Sequence, residues 1–332
     1  MILFLSLLGL LGLALSYQAL ATAYDNRRYP APGRLIDIGG YRLHLREAGT
    51  GSPAVVLESG LAASSLSWSF VQPEVAKFTT ALSYDRAGFA WSAPSSTPCT
   101  AHSMAADLKT LLERAGHAGP FILVGHSFGG LLVRAYAALY PEDVAALVFV
   151  DPVSLEHWAG CSPRDRQRLA TGTKLSRRGA ALATLGVVRF ALALASAGRR
   201  TLPKLIGRTA AGPGAAFMER LLGEIRKLPL EALPVIRSHW SRPESFRAMA
   251  STLASLPENA QAVLQMPIPP HIPFIILSAA SATEEELKER DSWVEGCPWG
   301  KHIRLNRCGH WLQLEQPGAI VDAIREIMKE RL

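Results

Sequence analysis

Cysteine is scarce and scattered. The four in 332 residues, Cys99, Cys161, Cys297 and Cys308, form no CxxC pair, which argues against a structural zinc site and against a small fold stapled by disulfides. No HExxH, no Walker-type phosphate loop and no GxGxxG occurs, so neither a zincin nor a nucleotide site is signalled and no metal or cofactor is expected. Internal repeats and low-complexity tracts are missing as well. Basic residues are not interleaved with an aromatic platform, which disfavours nucleic acid as a partner.

Charge is missing from one stretch altogether. "MILFLSLLGLLGLALSYQALATAY" carries no ionisable acid or base side chain before Asp25 other than tyrosine. Its uninterrupted apolar part is about 16 residues, and it reaches the roughly 20 needed to span a bilayer only if Tyr17 to Ala23 join it. A cleaved signal peptide is the rival, because Ala19, Ala21 and Ala23 could form an AxA-like site, giving a secreted or periplasmic protein. The positively charged n-region of such a peptide is missing, however. Arg27 and Arg28 follow the segment instead, which by the positive-inside rule favours a cytoplasmic catalytic part. The expectation is an uncleaved single anchor over residues 1–24, with membrane lipid as its partner.

What the chain does have is hydrophobic residues, 48% of the total, enough for a sizeable core. "RLIDIGGYRLHLREAG" reads as two strands around Gly39-Gly40. "AVVLES" is a buried strand, a helix is expected over "FVQPEVAKF", and the strand "ALSYD" ends at Asp85. "SMAADLKTLLERAG" places Met104, Leu108, Leu111 and Leu112 on one helical face, with Gly116 as its stop. "VAALVFVD" and "PFIILS" are continuous apolar strands, and helices near 284–293 and 320–328 flank the strand "HIRLN". Strands without polar alternation, separated by helices, mark a parallel sheet covered on both faces. The fold class expected is α/β, a mostly parallel sheet of about eight strands. The strand pattern lapses over 152–272, which reads as a helical cap inserted into a core formed by 25–151 and 273–332.

That insertion holds 17 Lys or Arg against 7 Asp or Glu. A solvated helical surface is the simpler reading. The alternative is contact with anionic lipid headgroups, to which "LATLGVVRFALALA" (182–195) could add an apolar face, though a core helix of the cap is the simpler reading of that stretch.

"FILVGHSFGGLLVRAY" changes period in its middle, from a strand-forming run to helical spacing of Leu131, Leu132, Tyr136 and Leu139. Between them lies "GHSFG". A glycine-rich turn without chemistry is the plain reading of such a motif. Its position between a strand and a helix is what a nucleophile elbow requires, with Ser127 strained and exposed above helix-end amides that favour negative charge. Glycine at 125 and 129 makes room where a Cβ would collide. A serine hydroxyl needs a base. His310, in the loop "NRCGHW" between the last strand and the last helix, has the setting and chain order for one. His102, His117, His126 and His302 read as structural or surface residues.

Together "VVLESGLAASSLSW", "YDRAGFAWS", "FILVGHSFGGLLVRAYAALYPEDVAALVFVDP" and "CGHWLQLEQP" resemble the α/β-hydrolase superfamily, in the branch with a helical cap after the sixth strand. The resemblance implies a triad in which Ser127 attacks and His310 relays protons. The acid position most members use, after the seventh strand, falls near Ser281, which cannot orient an imidazolium. Glu284, Glu285 and Glu286 follow, and read more simply as the acidic first turn of a helix. The position at the end of the sixth strand offers Asp151, the preferred acid, with the glutamate cluster second and a turn cap as its plain reading. The oxyanion donors implied are the backbone amides of Phe128 and Leu61. The family's His-Gly at the latter loop is Ser59-Gly60 here, which puts the loop's orientation in question. Asp85 and Arg86 match a structural turn near the active site, where Ala90 replaces a usual glycine. The activity implied is cofactor-free cleavage of a small-molecule carboxylic ester with a small or hydrophobic acyl group. Amide, lactone or C–C bond hydrolysis uses the same machinery. Haloalkane and epoxide hydrolysis are disfavoured, since those relatives need aspartate where Ser127 stands. A non-catalytic, membrane-tethered binding protein is the alternative from another class.

Overall fold

A computed structural model describes residues 1–197 and 227–330. Eight strands form one sheet in the order β1-β2-β4-β3-β5-β6-β7-β8. These are β1 (Arg34–Asp37), β2 (Arg42–Ala48), β3 (Val55–Glu58), β4 (Ala81–Tyr84), β5 (Phe121–His126), β6 (Val144–Val150), β7 (Phe274–Ser278) and β8 (Gly300–Arg304). β1 and β2 make the antiparallel hairpin expected around Gly39 and Gly40, both at positive φ. β2 also pairs antiparallel with β4, and every later pairing is parallel.

Alternation along the strands divides the core between the two faces of the sheet. Val56, Leu82, Leu123, Leu147 and Ile276 enter one cluster with Leu108, Leu111 and Leu112 of α3 (Ala101–Ala115). Val55, Leu57, Val124, Val148 and Leu277 enter the other, with Ile320, Ile324 and Ile327 of the last helix (Pro317–Glu330). Both faces are dry, so these strands show no polar alternation in sequence. α4 (Phe128–Leu139) leaves the end of β5 and is buried along nearly its whole length.

The helix expected over "FVQPEVAKF" is a single turn, α2 (Gln72–Val75). It follows a short 3-10 turn, Ser65–Trp68, and its second residue is Pro73, whose missing amide suits only a first turn. α1 (Ile2–Arg28) runs beyond residue 24. Asp25 does not end it, because Arg189 binds that carboxylate from outside the helix. α1 is long and apolar enough to cross a membrane.

Between β6 and β7 the described residues are helical. α5 (Leu155–Ala159), α6 (Pro163–Thr184) and α7 (Val187–Ala197) come before the gap, and α8 (Leu233–Trp240) and α9 (Pro243–Leu264) after it. Residues 198–226 of the expected cap lie outside the described residues. α6 and α9 pack together, and Leu169, Met249, Leu253 and Leu256 bury themselves against Phe128, Leu131 and Leu132 of α4. The insertion therefore rests on the helix that begins at Ser127.

Candidate active site

Ser127 stands at the corner between β5 and α4 with φ 55° and ψ −117°. A non-glycine residue in that region carries strain of about 1–3 kcal/mol, tolerated where its surroundings fix it. Here the Ser127 amide donates to the Val150 carbonyl at 3.0 Å, and its carbonyl accepts from Gly130 at 2.9 Å. Glycine is required on both sides. A Cβ on Gly125 would lie 2.5 Å from the Gly129 carbonyl oxygen, and one on Gly129 would lie 2.5 Å from that of Glu58. Both obstacles are backbone and cannot swing aside. Gly129→Ala is expected to push the Glu58–Ser59 backbone away from the corner. Reactivity of Ser127 toward a serine-directed fluorophosphonate should fall at least ~10²-fold, the scale of one lost oxyanion donor. Stability should fall by about 1–3 kcal/mol from overpacking, read in urea unfolding.

The structure brings Ser127, His310 and Asp151 into one line. His310 Nε2 lies 2.9 Å from Ser127 Oγ, and His310 Nδ1 lies 2.6 Å from Asp151 Oδ2. Asp151 ends β6 at φ 44° and is 1% exposed. Its Oδ1 accepts from the Ala279 amide at 3.0 Å and from Arg290 at 2.9 Å. Burial alone raises the carboxyl pKa. The hydrogen bond and charge of His310, the Arg290 cation and the Ala279 amide outweigh burial and hold it well below the usual carboxylate range. The carboxylate is therefore ionised while dry. Arg290, itself buried in α10 (Glu284–Glu295), also donates to Ser278 Oγ at 2.7 Å and to the Pro152 carbonyl at 2.6 Å.

The glutamate cluster does other work. Glu284, Glu285 and Glu286 form the first turn of α10, where Thr283 and Glu286 make a reciprocal capping box. His310 Nδ1 is engaged by Asp151 instead.

Phe128 is the first residue of α4, so its amide has no acceptor within the helix. Leu61 lies in the loop after β3, which Arg86 clamps. Its guanidinium donates to the Ser59 carbonyl at 2.6 Å, to the Gly60 carbonyl and to the buried Glu58 carboxylate. The Tyr84 hydroxyl donates to the same carboxylate. Burial pushes the Glu58 pKa up, with Arg86 opposing. Thus the loop whose orientation the missing His-Gly left open is fixed by a guanidinium from the "YDRAG" turn. Asp85 in that turn accepts from the Ser65 amide at 2.7 Å and pairs with His44 Nδ1 at 2.7 Å. Ala90 has φ 47°, the conformation its usual glycine would take without strain.

Two further groups escaped sequence reasoning. His126, one residue before the serine, is fully buried, the structural one of its two expected readings. Its Nε2 donates to the His310 carbonyl at 2.9 Å, which leaves Nδ1 to accept from Gln313 at 3.2 Å. It thus fixes the backbone that carries the candidate base. Arg290 had no signal at all, being one basic residue in a charged helix. A cavity of about 300 Å³ is walled by Arg86, Phe89, Met104, Asp107 and Thr252; Ser127, Asp151 and His310 do not line it.

Among the described residues no group of His, Cys, Asp and Glu could hold a metal ion. The line of groups can therefore move one proton between a hydroxyl and an imidazole whose tautomer a buried carboxylate fixes.

Known proteins share this frame. A family profile described as alpha/beta hydrolase fold matches residues 53–185. A probable transporter of Hormonema carpetanum is 38% identical over 125 residues, which cover 35% of this chain and 18% of that protein. A 2-hydroxy-6-oxo-2,4-heptadienoate hydrolase of Pseudomonas putida is 31% identical over 126 residues, 37% of this chain and 45% of that enzyme. The chain thus matches less than half the length of either relative. The solved structure of the epoxide hydrolase CorEH superposes with a TM-score of 0.62 at 21% identity, covering 88% of this chain and 96% of that one. Strand order, strained corner and matched segment agree: the chain has the α/β-hydrolase fold, and residues 53–185 match that family's profile.

Proposed function

We propose that this chain is a cofactor-independent serine hydrolase that cleaves carboxylic esters with a small or hydrophobic acyl group through an acyl-enzyme. The observation that carries the reading is the unbroken line Ser127 Oγ, His310 Nε2, His310 Nδ1, Asp151 Oδ2, with spacings of 2.9 and 2.6 Å. As Ser127 Oγ attacks the ester carbonyl, its proton passes to His310 Nε2. Asp151 keeps Nδ1 protonated and stabilises the imidazolium that forms. Negative charge on the carbonyl oxygen falls to the amides of Phe128, at the N-terminus of α4, and of Leu61, in the loop after β3. The imidazolium then protonates the departing alcohol. Water, deprotonated by the same nitrogen, releases the acid and restores Ser127. No step calls on a metal or an organic cofactor. An epoxide or haloalkane reading needs a carboxylate where Ser127 stands.

A fluorophosphonate probe tests the assignment, since it reacts only with an activated serine. The parent protein is expected to label at Ser127, located by peptide mass spectrometry, and Ser127→Ala to remain unlabelled. A folded parent that stays unlabelled would show a binding protein that keeps the fold without the chemistry. The likeness to the heptadienoate hydrolase supports C–C bond hydrolysis as a second reading. A vinylogous diketone turned over faster than a panel of p-nitrophenyl esters would favour it.

A further inference from the structure

α1 is an inverted amphipathic helix over its second half. Gln18 and Asp25 are buried and Ala14, Ala21 and Thr22 are partly covered, all on the stripe that faces the protein. Leu15, Tyr17, Leu20 and Tyr24 face outward and are exposed. A surface helix in water presents the opposite arrangement, apolar in and polar out. The polar stripe is tied down. Gln18 donates to the Ser241 carbonyl at 2.9 Å. Arg189 of α7 donates to Gln18 at 3.0 Å, to Thr22 at 3.1 Å and to the Asp25 carboxylate. The corner between α6 and α7 is fitted to the helix as well: a Cβ on Gly186 would lie 2.7 Å from the Tyr17 ring.

Length turns this docking into a constraint. Before Ala14 every residue of α1 whose side chain is described is exposed, the leucines from Leu5 to Leu13 included. Twelve helical residues measure only about 18 Å, against about 30 Å for a bilayer's hydrocarbon core. To reach across, the lipid-facing stretch must continue through Leu15, Tyr17 and Leu20, that is, along the docked half. At that depth α7 lies alongside, because Arg189 is bonded to Gln18 and Thr22. α7 presents Val187, Phe190 and Leu194 outward, with Phe190 and Leu194 each 59% exposed, and Leu182 and Leu185 continue the apolar surface into α6. Exposed Lys174, Arg177 and Arg178 on α6 border that surface, and Arg27 and Arg28 end α1. Cations at the edge of an apolar face suit anionic headgroups around an acyl interior.

We infer that α7 and the outward stripe of α1 form one membrane-embedded face, so that the helical insertion lies partly within a lipid bilayer rather than hanging free from an anchor. The occupant of this face is bilayer lipid. The inference stands on packing alone and is independent of the chemistry at Ser127.

Spin labels on the full-length chain test it. Cys161, Cys297 and Cys308 are buried and Cys99 is partly exposed, so a Cys99→Ser background leaves an added thiol selectively reactive. Phe190→Cys, Leu20→Cys and, as a solvent reference, Lys329→Cys are labelled with a nitroxide. Each is reconstituted in vesicles of phosphatidylcholine and phosphatidylglycerol. The oxygen-to-nickel-chelate accessibility ratio at Phe190 is expected to match that at Leu20 and to exceed that at Lys329 at least about fivefold, as for a residue below the headgroups. A Phe190 ratio equal to that at Lys329, with Leu20 lipid-exposed, would overturn the inference and leave a simple anchor. Dipolar broadening between Phe190 labels, with low access to both reagents, would also overturn it, by showing that a second copy of the chain covers the face. Ester turnover or fluorophosphonate labelling by the same preparations reports separately on the hydrolase reading.

Discussion

Asp151→Asn is expected to lower kcat/KM for ester hydrolysis about 10⁴-fold, the scale seen when a triad histidine loses its oriented tautomer. Asn retains an oxygen to accept from the Ala279 amide and Arg290, which now serve Oδ1 at 3.0 and 2.9 Å. Its amide nitrogen then faces His310 Nδ1, a donor where an acceptor is needed, and the imidazole turns over or flips its proton. Nε2 can no longer take the Ser127 proton. Fluorophosphonate labelling should slow in parallel, because acylation is the step affected. Circular dichroism should stay native. Glu286→Gln provides the contrast: its carboxylate caps α10, so turnover should remain near the parent's, with stability down by about 1 kcal/mol at most. Near-parent turnover in Asp151→Asn would dismiss Asp151 from the proposed mechanism.

Arg290→Met is expected to be strongly destabilising. Asp151 and Arg290 are 1% and 2% exposed. Removing the cation leaves a buried carboxylate facing only an amide and an imidazole, at a cost of about 3–5 kcal/mol in urea unfolding at neutral pH. The pH dependence has a defined sign. The Asp151 carboxyl is held below its unfolded value in the folded parent. Its contribution to stability is therefore present above the unfolded pKa and is lost as pH falls through the folded one. Without Arg290 one of the groups that lower it is gone, the folded pKa rises, and the acid-side loss of stability begins at higher pH. Circular dichroism followed through an acid titration should read this as an acid limb of unfolding that begins at higher pH in the variant. A variant with parent-like stability and an unmoved acid limb would show that Arg290 contributes neither charge nor position.

How much of this was legible beforehand follows from the range of the forces involved. The parallel strands were readable because burial on both faces leaves each a continuous apolar run, as in "VAALVFVD". The corner was readable because glycines 125 and 129 answer a local collision with neighbouring backbone. Asp151 could be preferred because a carboxylate closing a buried strand needs a partner, and Ser281 could not supply one. Arg290 could not be found this way. It sits 139 residues from Asp151 in sequence, on a helix whose composition reads as solvated surface, and only the crossing of α10 over the end of β6 joins them. His126 could be read only as structural or surface, because histidine tolerates both; the structure gives the former, through partners His310 and Gln313 that arrive from the other end of the chain. The single turn at Gln72–Val75 reflects local chemistry underweighted, a proline permitting a helix to start but not lengthening it.

The carboxylate's position at the end of β6 has a consequence for the loop after β7. That loop gives Asp151 only the main-chain amide of Ala279. Any residue but proline supplies that group, so on the proposed mechanism no side chain from 279 to 282 is needed to orient His310. Serine and acid instead share two adjacent, directly paired strands, β5 and β6. Their separation is then set by sheet geometry, the stiffest ruler the fold has. On the proposed mechanism the loop beyond Ala279 then has no charge to hold in place.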